Sequence, residues 1–390
     1  MSFDVSSKLS PVVTSIQPSG IRKFFDIVSS MPDAISLGVG EPDFVTPWHI
    51  RDAGIYSLEK GKTYYTSNSG IIELRMEICN YTERRFGLSY DPDTEVLVTV
   101  GGSEAIDLCI RALVSKGDEV LIPEPSFVCY SPCTSLAGGV PVPIVTKEEE
   151  DFKLTPEALR AAITPRTKLL ILPYPNNPTG AVLTREDLQK IADVIKETDI
   201  MILSDEIYAE LTYETKHVSI ASIDGMQERT ILVNGFSKAY AMTGWRLGYA
   251  CGHPDIIAAM TKIHQYAIMS TPTTSQFAAV EALRNGDDDV AEMVAEYNYR
   301  RKVILEGVRQ IGLSCFEPFG AFYVFPNITI TGMNSNEFCE RLLKEEKVAV
   351  VPGNAFGKSG EGFIRCSYAY SIADINRALE RIDKFVAKYK

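Results

Sequence analysis

From residue 96 to about residue 250 the chain alternates short apolar runs with segments of helical period. "VLVTV" (96–100), "EVLIP" (119–123), "KLLILPYP" (168–175), "IMILSDEIY" (200–208) and "TILVNGFSK" (230–238) read as strands, and the Pro-containing "VPVPIV" (140–145) as a shorter one. Between them "SEAIDLCIRALV" (103–114), residues 126–138, "PEALRAAI" (156–163) and "TREDLQKIADVIKET" (184–198) carry helical spacing. Thr184, with Asp187 three residues on, predicts a capped start for the last of these. Strands that are apolar throughout and separated by helices predict a mainly parallel sheet covered on both faces.

Past residue 250 the pattern changes. Residues 254–311 read as almost continuous helix, including a long one around 290–311. Then "AFYVFP", "VAVVPG" and "FIRCSY" read as strands among helices over 335–345 and 372–387. The expectation is an α/β protein with a large domain over 46–283, a mainly parallel sheet between helices. Residues 1–45 and 284–390 would form an N-terminal arm and a smaller α+β domain.

Composition narrows the function classes. With 390 residues, 45% of them hydrophobic, the chain can bury a large core, and its net charge of -12 repels phosphate backbones and anionic lipid. Nucleic-acid and membrane partners are therefore not expected, and no apolar run reaches the roughly 18 residues a spanning helix needs. "MSFDVSSKLS" lacks the basic start and apolar block of a secretory leader. The eight cysteines include no C-x-x-C and read as reduced core residues of a cytoplasmic protein. "NYT" (80–82) and "NIT" (327–329) are then chance matches to the glycosylation pattern. The four histidines form no ligand-spaced pair, so no metal is expected.

Candidate chemistry is sought where ligands of parallel α/β sheets gather, at the carboxyl ends of the strands. Gly101-Gly102-Ser103 follows the first run, "YPNNPTG" the "KLLILPYP" run, Asp205 and Tyr208 the next, and Ser237 and Lys238 the last. A "GGS" opening a helix offers free N–H groups to a phosphate, or is only a tight capped turn. Lys238 in an apolar site would lose its charge and become an amine suited to an imine, or it is a surface lysine. Asp205 could hold a protonated ring nitrogen, or cap a turn. Arg246 could hold the same phosphate, or join a structural ion pair. Together these describe a phosphate, an aldehyde and a basic pyridine nitrogen: pyridoxal phosphate.

The chain resembles the fold-type-I pyridoxal-phosphate aminotransferases of class I/II, the aspartate and aromatic aminotransferases among them, over essentially its whole length. The resemblance is carried by "SLGVGEPDFVTP" (36–47), "VGGSEAI" (100–106), "YPNNPTG" (174–180), "SDEIY" (204–208), "FSKAYAMTGWRLGY" (236–249) and "FIRCSYA" (363–369). It implies an enzyme that moves an amino group from an L-amino acid to a 2-oxo acid. It also implies roles. Lys238 resembles the Schiff-base lysine and proton shuttle, and Asp205 the partner of the ring nitrogen. Asn177 and Tyr208 resemble the residues on the ring hydroxyl, and Phe127 the aromatic stacked on the ring. Gly102, Ser103, Ser237 and Arg246 resemble the phosphate cup. Arg365 resembles the bidentate receptor of the substrate α-carboxylate, with Asn177 and Gly38 beside it. Tyr65 resembles a tyrosine that reaches the phosphate of a neighbouring subunit, which implies a homodimer.

Two departures limit the resemblance. Many relatives carry serine three residues before the lysine, where this chain has Gly235. No residue is assignable as a second arginine for a side-chain carboxylate, so the donor stays open, although the segment around Ile16–Gly20 is expected in the pocket wall. "GKT" (61–63) and "GVGEPD" (38–43) are not nucleotide motifs: Tyr56 stands where a P-loop needs glycine, and Asp43 replaces the third glycine of a dinucleotide fingerprint. A carbon–sulfur β-lyase on the same scaffold would use the same ring-binding residues and is the alternative. A cofactor-binding DNA regulator fits poorly with the acidic charge.

Overall fold

A computed structural model describes residues 5–18, 31 and 33–390. Seven strands form the central sheet: β1 (Val96–Thr99), β2 (Glu119–Glu124), β3 (Val140–Val145), β4 (Thr167–Leu172), β5 (Met201–Asp205), β6 (Thr230–Gly235) and β7 (Gly248–Cys251). Their spatial order is β1-β7-β6-β5-β4-β2-β3. β7 pairs antiparallel with both neighbours, and every other pairing is parallel. β1 to β6 therefore all point the same way, and their carboxyl ends share one edge of the sheet. β7 runs backwards, so the residues just before it, Arg246 among them, reach that same edge. The expected mainly parallel α/β architecture is observed.

Burial explains the sequence pattern. β1, β6 and β7 are buried at every position, whereas β3, at the sheet edge, has one buried residue. Pro141 and Pro143 sit on that edge strand, where a missing N–H costs least. β3 is also as long as β2, six residues, rather than shorter. Thr184 and Asp187 form the expected capping box on helix Arg185–Lys196.

Several boundaries differ from the sequence reading. The helix expected over 126–138 spans only Tyr130–Leu136, because Pro132 is accommodated in a first turn but would clash with a preceding one. The strand expected to run to residue 208 ends at Asp205, whose carboxylate accepts the Ile207 N–H and turns the chain. "KLLILPYP" likewise stops at Leu172, and "AFYVFP" contributes only Tyr323–Val324. β7 and the helices Trp48–Glu59 and Ile72–Phe86 lie outside the sequence-predicted elements.

Beyond the sheet, helices Pro254–Ala267, Thr273–Asn285 and Asp287–Ile311 follow in succession. A three-stranded antiparallel sheet combines Val351–Pro352, Ile364–Ser367 and Tyr323–Val324. Ile35–Ser36 pairs with Val348–Ala349, so the N-terminal segment joins the C-terminal elements there. Helix Ile372–Val386 buries Ile375, Ala378, Ile382 and Phe385 along one face, within a cluster that also takes in Leu37, Ile304, Phe322 and Phe338. Residues 19–30, and with them most of "PSGIRKFF" and the end of the Ile16–Gly20 segment, lie outside the described residues.

Candidate active site

The shared sheet edge opens on a cavity of about 390 Å³. Ten residues named from the sequence line it: Gly102, Ser103, Phe127, Asn177, Asp205, Tyr208, Ser237, Lys238, Arg246 and Arg365. They come from the ends of β1, β2, β4, β5 and β6, the approach to β7, and strand Ile364–Ser367. Gly38 adjoins the cavity through its carbonyl, which accepts from Arg365 Nη2 at 2.6 Å. Tyr65 does not line it; its side chain is 77% exposed on the surface.

The two cations of the loop between β6 and β7 have different surroundings. Lys238 Nζ donates to the Gly40 carbonyl at 2.6 Å and lies 5.6 Å from the Phe322 ring centre. Burial, then the charges of Arg365 and Arg246, lower its pKa to about 8, so roughly a tenth of it is a neutral amine at pH 7, far more than for an ordinary lysine. Arg246 holds the left-handed backbone (φ 53°), and its Nη1 donates to the Thr243 carbonyl at 2.9 Å.

Close packing brings Arg246 to the start of helix Gly101–Leu113. A Cβ on Gly248 would lie 2.5 Å from Gly102 N, so only glycine lets β7 pass this near the helix. Gly101 has φ +75°, and a Cβ there would sit 2.6 Å from Arg246 Nη2. The first N–H groups of a helix have no partners within it, so guanidinium and helix end together form an anion seat. Gly235 packs nearly as closely: a Cβ would meet Gly248 Cα and Leu247 O at 3.0 Å, so serine would need a small shift of the backbone opposite.

A second anion receptor faces the same space. Arg365 is 3% exposed, its Nη1 donates to Asn177 Oδ1 at 2.9 Å, and its Nε has no partner. Its guanidinium lies 4.3 Å from the Tyr323 ring centre and 4.8 Å from that of Phe356. A buried charged N–H without an acceptor is costly unless a ligand supplies one. Asp205 is buried, and burial raises its pKa. Tyr208 shares a hydrogen bond with Tyr323 at 2.7 Å between hydroxyl oxygens.

Residues 37–46 run along the cavity, and Val39, Gly40 and Glu41 line it. Leu37 N donates to the Ala349 carbonyl and accepts from Ser367 N at its own. Thr243 donates to Glu41, Arg300 grips Asp43, and Thr46 donates to the Ala241 carbonyl. Tyr130, Tyr323, Glu41 and Thr243 all line the cavity yet were not singled out from the sequence. Tyr323 had a signal, its place in a predicted strand next to aromatic neighbours. Tyr130 was hidden inside a helix expected to begin before it.

A buried lysine of lowered pKa, a buried carboxylate and two guanidinium groups around one cavity are the groups that a phosphate-bearing aldehyde cofactor and a carboxylate substrate call for. The profile of the family "aminotransferase class I and II" matches residues 32–382, and the chain belongs to that family. It is 54% identical over 384 residues to the Bacillus subtilis protein YugH, named as a candidate aminotransferase, covering 98% of this chain and all of that one. To the aromatic-amino-acid aminotransferase 2 of Thermococcus litoralis it is 45% identical over 98% of this chain and 99% of that protein. The structure of Thermus thermophilus aspartate aminotransferase with maleate superposes with a TM-score of 0.93 at 40% identity, over 96% of this chain and 99% of that one. The protein is thus a fold-type-I, pyridoxal-phosphate-dependent aminotransferase that moves amino groups between amino acids and 2-oxo acids. None of these relatives carries a lyase name. Among the described residues, no helix is long and apolar enough to cross a membrane.

Proposed function

We propose that transamination occurs in this cavity, with Lys238 as the amine that meets the cofactor's aldehyde. The observation that carries the reading is the pairing in one cavity of a lysine held to a pKa of about 8 with a buried arginine fixed by Asn177 and Gly38. When bound, pyridoxal phosphate supplies an aldehyde to take up the amino group and a ring to disperse carbanion charge. Gly102, Ser103, Ser237 and Arg246 seat the phosphate. Asp205 holds the ring nitrogen as an anion, Asn177 and Tyr208 hold the ring hydroxyl, and Phe127 lies against the ring. Lys238, as a neutral amine at Nζ, takes the proton from the substrate's Cα. Arg365, oriented by Asn177 and Gly38, binds the α-carboxylate as a planar fork.

Three cations line the cavity, Lys238, Arg246 and Arg365, and this reading uses all of them. Tyr65, exposed on its own subunit, supports a homodimer in which it reaches the neighbouring site. Eight unpaired cysteines support a cytoplasmic, reducing setting. The three-stranded sheet of Val351–Pro352, Ile364–Ser367 and Tyr323–Val324, apart from the seven-stranded one, supports the division of the chain into 46–283 and 1–45 with 284–390. The test is a panel of amino donors against 2-oxoglutarate and pyruvate, with wild type and Lys238→Ala. Wild type should turn over with at least one donor of the panel, and the variant should show no turnover. Full turnover by Lys238→Ala would overturn the assignment, and pyruvate and ammonia released from cystathionine without an acceptor would point to elimination instead.

A further inference from the structure

Asp205 ends β5 with both carboxylate oxygens engaged from within the protein. Oδ1 accepts the Ile207 N–H at 3.2 Å, and Oδ2 accepts the Tyr130 hydroxyl at 2.7 Å. The first bond is backbone and survives most substitutions. The second depends on one side chain. Tyr130 opens helix Tyr130–Leu136 with 2% of its surface exposed, and its ring meets Phe127 edge-on at 6.1 Å. A phenol facing a carboxylate anion can only donate, so the bond has one direction and favours the ionised acid. Each carboxylate oxygen keeps a further lone pair, and Asp205 and Tyr130 both line the cavity.

We propose that Tyr130 is a positioning residue that keeps Asp205 ionised and aimed at the cofactor's ring nitrogen. This rests on the assignment of Asp205 in the preceding section. Burial is the largest influence on Asp205 and drives it toward the neutral acid; the Tyr130 and Ile207 bonds oppose it first, Glu206 adds to it, and Lys238 opposes it. Cys129 and Tyr208 are the other titratable neighbours. Both Cys129 and Tyr208 ionise far above neutral pH, so the phenol of Tyr130 is the side-chain donor that acts on Asp205 in the working range. A neutral Asp205 could no longer balance a protonated nitrogen, so losing the Tyr130 hydroxyl should matter to a ligand only through that nitrogen.

The experiment titrates apoprotein with pyridoxal phosphate and with its 1-deaza analogue, in which carbon replaces the ring nitrogen, from pH 5 to 9. Tyr130→Phe should weaken pyridoxal phosphate about tenfold, the scale of one hydrogen bond to a charged group. The loss should grow as pH falls, because Asp205 without its donor takes up a proton sooner. The analogue should bind wild type and variant within about twofold of each other, as no charged nitrogen is present to feel the bond. Tyr130→3-fluorotyrosine keeps the shape and donates more strongly, so it should shift affinity the other way, a check independent of how Phe affects folding. Equal losses for both ligands at every pH, or no loss at all, would overturn the proposal. Failure of wild type to bind pyridoxal phosphate would instead overturn the reading of the cavity.

Discussion

Replacing Arg365 by lysine keeps the charge and changes only the geometry. The guanidinium carries five N–H donors. Nη1 serves Asn177 and Nη2 serves Gly38, each with a second N–H to spare, so a carboxylate arriving in the cavity finds a planar edge already fixed. An ammonium has three donors on one atom. If it satisfies Asn177 and Gly38 it has one left, so at least one charge-assisted bond to substrate is lost, worth about 1.5–3 kcal/mol. The stack between Tyr323 and Phe356 is also loosened, at roughly 0.5–1 kcal/mol. The sum, about 2–4 kcal/mol, corresponds to a fall of roughly 30- to 700-fold in kcat/KM for every amino donor. Steady-state kinetics at a fixed 2-oxo acid measures it, with pyridoxal-phosphate affinity of the apoprotein as the control, expected to stay within about twofold. A fall of less than about threefold, or an equal loss of cofactor affinity, would refute the role given to Arg365.

Two further outcomes follow from the cavity. Because the pKa of Lys238 is lowered to about 8 from 10.5, the unfolded chain binds more protons between these values, and the folded state gains stability as pH rises through that window. Below it the burial cost is fully present, at most about 3 kcal/mol. Lys238→Met removes that cost, so the apo variant should melt above apo wild type at pH 7, the gap closing near pH 10; a constant or reversed gap would contradict the lowered pKa. Gly101→Ala should cut cofactor affinity at least about tenfold, since a methyl at φ +75° would also displace Arg246, and calorimetric titration giving unchanged affinity would dismiss the phosphate seat.

Much of the site was legible because strand ends are marked by where apolar runs stop. Asp205 and Lys238 stand at such stops, and Gly102 and Ser103 open the helix that follows one. The four-residue β7 was not recognised, although its reversal is what places Arg246 opposite Gly101. Helix Trp48–Glu59 escaped for another reason. It buries Ile50, Gly54 and Ser57 while exposing Trp48, Ile55, Tyr56 and Leu58, so its apolar positions do not trace a buried stripe. Gly235 stood out only as a departure from the serine of many relatives, whereas its tight neighbour lies across the sheet, in the backbone of Gly248. Tyr130 depends on a pairing 75 residues distant, which no local periodicity encodes.

The segment that carries Val39, Gly40 and Glu41 into the cavity links two of these groups more directly than their separation in sequence suggests. Gly38 carries the acceptor for Arg365 and Gly40 the acceptor for Lys238, with only Val39 between them. Two side chains 127 positions apart in sequence thus take their bearings from three consecutive residues. A substitution that bends the backbone at Val39 would therefore disturb the carboxylate receptor and the amine together, and could not tune one without the other.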